Sequence, residues 1–200
     1  MYPDRFYPIV DSVAWVARLA QLGVGTIQLR AKDLAPPAAE RLISEALQAT
    51  EGTKARLVVN DYWREAIRLG ARHLHLGQED LLDADRAAIR ASGLTLGVSS
   101  HDETELASAL AADPDYIALG PIFPTTLKAM RFAPQGMARI ADWKQRIGTI
   151  PLVAIGGIKL EHAADIFAHG ADSIAVVSDV TQNTDPDERV RQWLRQTQLS

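Results

Sequence analysis

The sequence predicts an α/β fold, one closed parallel barrel of eight βα units, and three observations carry that expectation. A unit recurs in which an amphipathic helix ends at glycine and a short apolar run follows. Eight apolar runs of strand length are spaced along the chain, and each is followed by a helical pattern. The recurrence is plainest in three copies. Arg18 to Leu22, then Gly23, leads to Thr26 to Leu29; Glu65 to Leu69, then Gly70, leads to His73 to Leu76; Asp165 to His169, then Gly170, leads to Ser173 to Val177. In each copy glycine stands where a helix C-terminus favours a left-handed residue.

In chain order the expected strands lie near Phe6 to Val10, Thr26 to Arg30, Arg56 to Asn60, His73 to Leu76, Leu94 to Ser99, Tyr116 to Gly120, Leu152 to Ile155 and Ser173 to Val177. The first helix has Val13, Val16, Ala17 and Ala20 at helical spacing, with Arg18 and Gln21 off that face. Spread over 200 residues, eight units average about 25 each, tight but workable for a single-domain (βα)8 TIM barrel spanning residues 1–200. An open doubly wound sheet is the rival. It usually places a glycine-rich phosphate loop after its first strand, and Val10-Asp11-Ser12-Val13 offers none. The first strand starts almost at once, so no helix is expected to close the barrel bottom.

Composition narrows the function. With 47% hydrophobic residues the chain can bury one core, and 21 basic against 25 acidic residues leave no net positive field for nucleic acid or an anionic membrane. There is no cysteine, hence no disulfide framework and no thiolate metal site. The N-terminal residues have neither a basic nor an apolar leader pattern, and no apolar run approaches the roughly 20 residues of a membrane helix. A cytoplasmic protein is the expectation.

Polar residues at strand ends supply the chemistry. The second strand sends Gln28, Arg30 and Lys32 to one face and Ile27, Leu29 and Ala31 to the other. If the apolar set faces the helices, two cations and an amide point into the barrel mouth, where unpaired burial costs several kcal/mol per charge and an anionic ligand would relieve it. Pairing with carboxylates of neighbouring strands would relieve it too. The third strand ends in Asn60-Asp61 and the fourth runs into Gly77-Gln78-Glu79-Asp80, placing two carboxylates at the C-terminal rim. Such hard oxygens suit Mg2+, which uses one or two carboxylates and completes its octahedron with water and phosphate. Taken singly, either aspartate reads better as a helix N-cap than as a ligand, and as a pair facing the cationic stripe they favour metal-diphosphate chemistry.

On the fifth strand Thr95, Gly97 and Ser99 share a face, and Ser99 reads as a hydrogen-bond donor to the mouth. No acidic orienter stands where Ser99 and His101 would form a hydrolytic pair. His73 and His75 alternate with leucines and read as satisfied core residues. After the sixth strand, Gly120-Pro121-Ile122-Phe123-Pro124-Thr125-Thr126-Leu127-Lys128 reads as a rim lid with hydroxyls and a lysine. Gly156-Gly157 after the seventh strand and Val177-Ser178 after the eighth suit the phosphate site that recurs there in this fold, although Gly-Gly alone reads equally as a tight turn.

Taken together, Gln28-Leu29-Arg30-Ala31-Lys32, Asn60-Asp61, His75-Leu76-Gly77-Gln78-Glu79-Asp80, Gly97-Val98-Ser99, Gly120 to Thr125, Ile155-Gly156-Gly157-Ile158 and Val176-Val177-Ser178 resemble thiamine phosphate synthases over nearly the whole chain. The resemblance implies condensation of an aminopyrimidine diphosphate with a thiazole phosphate, with loss of pyrophosphate. It implies pyrimidine diphosphate contacts at Gln28, Arg30, Lys32, Asn60, Ser99 and Lys128, Leu29 and Ala31 being carried with their block, and Mg2+ on Asp61 and Asp80. It implies thiazole phosphate contacts at Thr125, Thr126, Leu127, Gly157, Val177 and Ser178. Lys128, Arg30, Lys32 and Ser99 are then the residues acting on the departing pyrophosphate. The implied partners are these two small molecules, with no nucleic acid and no membrane, and a homodimer is compatible with the reading. One departure stands out: Leu127 occupies the place of a second hydroxyl immediately before the lysine.

Three other readings compete. A thiazole tautomerase resembles this family but lacks the metal carboxylates and the lid lysine. A sugar-phosphate isomerase or indole-forming barrel shares the phosphate site without paired carboxylates. A silent thiamine phosphate binder would keep the residues and lack turnover.

Overall fold

The structure is a computed structural model that describes residues 2–125 and 132–198. Among the described residues, eight parallel strands form a barrel: β1 (Phe6–Val10), β2 (Thr26–Leu29), β3 (Arg56–Asn60), β4 (His73–Leu76), β5 (Thr95–Ser100), β6 (Tyr116–Leu119), β7 (Leu152–Ile155) and β8 (Ser173–Val176). They pair in chain order, and β8 closes on β1 with Phe6 opposite Ile174. The described helices are α1 (Val13–Gln21), α2 (Pro36–Thr50), α3 (Trp63–Arg68), α4 (Gln78–Asp83), α5 (Arg86–Ala91), α6 (Glu103–Ala111), α7 (Gly136–Ile147), α8 (Ala163–Ala168), α9 (Ser178–Thr181) and α10 (Pro186–Gln198). The closed barrel excludes the open-sheet rival. Strands β2, β6 and β8 end one residue before the apolar runs suggest, freeing Arg30, Gly120 and Val177 for the rim.

Strand alternation builds two apolar layers. Ile27, Leu29, Leu57, Val59, Leu74, Leu76, Leu96 and Val98 face outward and join the helices in the main core. Tyr7, Ile9, Val58, Tyr116, Ala118, Val153 and Ala175 face inward and fill the barrel. Burying such an aliphatic side chain contributes roughly 1.5–3 kcal/mol. Helix α1 buries Val16, Leu19 and Ala20, so its inner face is turned toward the larger Leu19 and away from Ala17, which is only half-buried. The three repeat glycines, Gly23, Gly70 and Gly170, all have positive φ just past a helix end, as the recurrent unit requires.

No helix closes the barrel floor among the described residues. The ring of Tyr2 takes that place, stacked on His73 at 4.6 Å and edge-on to Tyr116 at 5.8 Å. Higher up, the Tyr116 ring crosses the barrel directly over Gly97, and a Cβ built at Gly97 would fall inside that ring. Gly97→Ala is therefore expected to cost roughly 3 kcal/mol of stability by overpacking, read as a lowered denaturation midpoint. An unchanged midpoint would mean that the ring can move aside freely.

Candidate active site

The inward, C-terminal ends of the strands open into a cavity of about 890 Å³, at the end of the barrel where this fold carries its chemistry. Gln28, Arg30, Lys32, Asn60, Asp61, Asp80, Ser99, Thr125, Gly157, Val177 and Ser178 all line it. The structure thus brings together residues that lie on seven different strands or the loops after them. Leu29 and Ala31 are not brought there as side chains. Leu29 is 3% exposed within the outer core layer, and Ala31 faces a separate small hollow with Asp11, Leu34 and Arg41. Their place follows from the period-two alternation that aims Gln28, Arg30 and Lys32 inward. Thr126, Leu127 and Lys128 lie outside the described residues.

The cationic stripe and the paired carboxylates face each other. Lys32 Nζ is 2.8 Å from Asp61 Oδ2 and 4.0 Å from Asp80 Oδ2, so pairing across strands does relieve this cation. Burial works against the Lys32 charge, but the hydrogen bond and charge of Asp61, with Asp80 behind it, outweigh burial and raise its pKa. Arg30 makes no ion pair among the described residues, which leaves its guanidinium available to an anion. Neither aspartate is an N-cap: those positions are Tyr62 for α3 and Gly77 for α4. Asp61 instead sits at φ 67°, in the left-handed region where Asp is tolerated, with Asn60 Nδ2 donating to its Oδ2 at 2.6 Å. Non-glycine residues held there often belong to functional sites.

Asp80 is pushed up to about 6, first by burial and then by the neighbouring Asp61 carboxylate. Two carboxylates crowded together with one ammonium between them are a donor set that a divalent cation would relieve, and Mg2+ fits it. Among the described residues no three His, Asp or Glu side chains cluster as a complete cage, and magnesium beside phosphate commonly uses only one or two carboxylates. Because the ligand must be deprotonated, Mg2+ affinity is expected to fall as pH drops through about 6 and to level off above pH 7. Calorimetric titration with Mg2+ between pH 5 and 8 checks this, and a pH-independent affinity would rule out Asp80 as a Mg2+ ligand.

Gly156 and Gly157 have φ of 97° and 66°. A Cβ on Gly157 would strike the backbone of Phe123 and Pro124, so this pair locks the β7 end against the loop after β6 as well as lining the cavity. Ser178 opens α9 beside them.

His75 was legible only as a satisfied core residue, yet it also lines the cavity. Its Nδ1 is 3.0 Å from the Tyr116 hydroxyl and its Nε2 is 2.8 Å from Ser99 Oγ, while burial holds its pKa down at about 4. The missed signal was positional. His75 stands opposite Asn60 in the register and shares its inward face. Tyr7 also lines the cavity and was not singled out, because a lone tyrosine in an apolar first strand carries no motif.

Fold and cavity define the class: a (βα)8 barrel whose C-terminal mouth carries opposed cations and carboxylates, with the Gly156-Gly157 turn lining the same cavity. The sequence model described as thiamine monophosphate synthase matches residues 6–180. The chain is 56% identical over 194 residues to a thiamine-phosphate synthase of Rhizobium etli, covering 97% of this chain and 95% of that one. It is 52% identical over 188 residues to one of Salmonella choleraesuis, covering 94% and 89%. Among solved structures, a thiamine phosphate pyrophosphorylase from Pyrococcus furiosus superposes with a TM-score of 0.85 at 26% identity, over 98% of this chain and 96% of that one. The chain belongs to the thiamine monophosphate synthase family.

Proposed function

We propose that this protein joins 4-amino-2-methyl-5-(diphosphooxymethyl)pyrimidine to 4-methyl-5-(2-phosphooxyethyl)thiazole, or to its carboxylated form with loss also of the carboxylate as carbon dioxide, releasing pyrophosphate and yielding thiamine phosphate. The observation that carries the reading is the opposition of Gln28, Arg30 and Lys32 to Asp61 and Asp80 across one cavity, in a chain of this family. Asp61 and Asp80 would hold a Mg2+, which would supply Lewis-acid charge to the diphosphate. Arg30 and Lys32 add fixed positive charge beside the same oxygens, so electron density moving onto the leaving group is stabilised without protein reorganisation. The bond between the pyrimidine methylene carbon and oxygen breaks, and its electron pair departs with pyrophosphate. The thiazole nitrogen lone pair then forms the new carbon–nitrogen bond.

Gly157, Val177 and Ser178, with Thr125, hold the thiazole phosphate so that its nitrogen faces the methylene; the family resemblance alone assigns Thr126 and Leu127 to the same phosphate and Lys128 to the diphosphate. Orientation of this kind replaces a protein nucleophile. Phosphorylated reactants do not cross membranes unaided, which supports a cytoplasmic reaction. The test is incubation with both phosphorylated precursors and Mg2+. Thiamine phosphate and stoichiometric pyrophosphate are expected. Binding of both precursors without product would make the chain a silent binder, and rearrangement of the thiazole alone would make it a tautomerase.

A further inference from the structure

A chain of side-chain hydrogen bonds crosses the barrel interior beneath the cavity. Gln28 Nε2 donates to the Tyr7 hydroxyl at 2.8 Å, the Tyr7 and Tyr116 hydroxyls are 2.8 Å apart, Tyr116 meets His75 Nδ1 at 3.0 Å, and His75 Nε2 meets Ser99 Oγ at 2.8 Å. Five strands are joined in this way, and both ends of the chain line the cavity. Gly97 is what allows it, since the Tyr116 ring occupies the space that any side chain there would fill.

Proton counting gives the chain a direction. Each tyrosine hydroxyl has one proton and two partners. With Gln28 donating into Tyr7, the Tyr7 proton must go to Tyr116, and the Tyr116 proton to His75 Nδ1. If Tyr116 donated to Tyr7 instead, Tyr7 would hold its own proton without an acceptor at a site 1% exposed, a loss of the kind that buried groups rarely bear. His75 then carries its proton on Nε2 and gives it to Ser99 Oγ. The Ser99 hydroxyl proton is left pointing to the cavity.

We propose that Tyr116, together with Tyr7, is a positioning residue that fixes His75 in the Nε2–H tautomer and so makes Ser99 a one-way hydrogen-bond donor to anionic phosphoryl oxygen. Those oxygens only accept, so a Ser99 whose proton was spent on His75 would turn lone pairs toward them. This rests on the diphosphate reading of the cavity. Turning the Gln28 amide end for end reverses every donor along the chain, so the His75 tautomer reports the direction of the whole relay.

The test is nitrogen-15 NMR of histidine-labelled, ligand-free protein at neutral pH, with the His75 resonances assigned from His75→Gln. Protonated Nε2 with bare Nδ1 is expected, and a proton on Nδ1 would overturn the proposal. A second arm measures binding of inorganic pyrophosphate with Mg2+ in the intact protein, Tyr116→Phe, Ser99→Ala and the double variant. Tyr116→Phe is expected to weaken pyrophosphate roughly fivefold, and to have no further effect once Ser99 is alanine. Losses that multiply in the double variant would show that Tyr116 does not act through Ser99. Should Tyr116→Phe fail to fold, Tyr7→Phe interrupts the same relay one bond earlier and is held to the same outcomes. The tautomer is read without turnover, so failure of the relay and failure of the proposed reaction give different results.

Discussion

Asp61→Ala and Asp80→Ala are each expected to lower Mg2+-dependent turnover by about three orders of magnitude or more, while circular dichroism shows an intact barrel. Loss of a bound cation's charge stabilisation removes several kcal/mol, at 1.36 kcal/mol per decade of rate. The two carboxylates crowd each other closely enough to raise Asp80, and both reach Lys32, so they act on one charge. The double variant should therefore be little worse than either single one. Removing either carboxylate also releases Lys32 from part of its pairing, which would stabilise an unmetallated protein differently from the parent; thermal melts with and without Mg2+ separate that effect from catalysis. Near-normal metal-dependent turnover in both variants would sink the metal assignment.

Lys128→Ala is expected to reduce kcat by roughly 100-fold, about 2.7 kcal/mol, with a smaller loss in ground-state binding. The argument is one of charge. An ammonium beside the diphosphate would gain interaction as charge moves onto the departing pyrophosphate, which is when it would lower the barrier. Leu127→Thr, at the position that departs from the family pattern, should leave kcat within a small factor and strengthen thiazole phosphate binding by at most about 1 kcal/mol, one added hydrogen bond. Both variants belong in one assay at saturating substrates and Mg2+. Full kcat in Lys128→Ala with a tenfold change in Leu127→Thr would make the lysine a solvated surface residue.

Much of this protein is written in local pattern. Apolar runs at a regular interval, each after a glycine-ended helix, determine eight βα units, and alternation within Thr26 to Lys32 already separates Gln28, Arg30 and Lys32 from Leu29 and Ala31. Those signals depend on neighbours a few residues apart, and strand and helix periods survive in the sequence. The shared cavity is legible for the same reason, because every inward residue near a strand's C-terminal end must meet the others at the rim of a closed barrel.

What only the tertiary structure decided concerns partners far apart in the chain. Taken singly, Asp61 and Asp80 read in the sequence as helix caps, and only as a pair as metal carboxylates; the backbone turn at Asp61 and the position of Asp80 inside α4 take both out of the capping role and set them beside Lys32. His75 read as a core histidine, and it is one, but its hydrogen bonds to Tyr116 and Ser99 span 41 and 24 residues of chain. Gly97 stands in the sequence on the inward face of the fifth strand and within the block Gly97-Val98-Ser99, but only the structure lays the Tyr116 ring over it. A hydrogen bond or a ring contact between strands depends on register and barrel closure, which no local period encodes. The sequence determines which face each side chain takes, and barrel closure decides what it meets there.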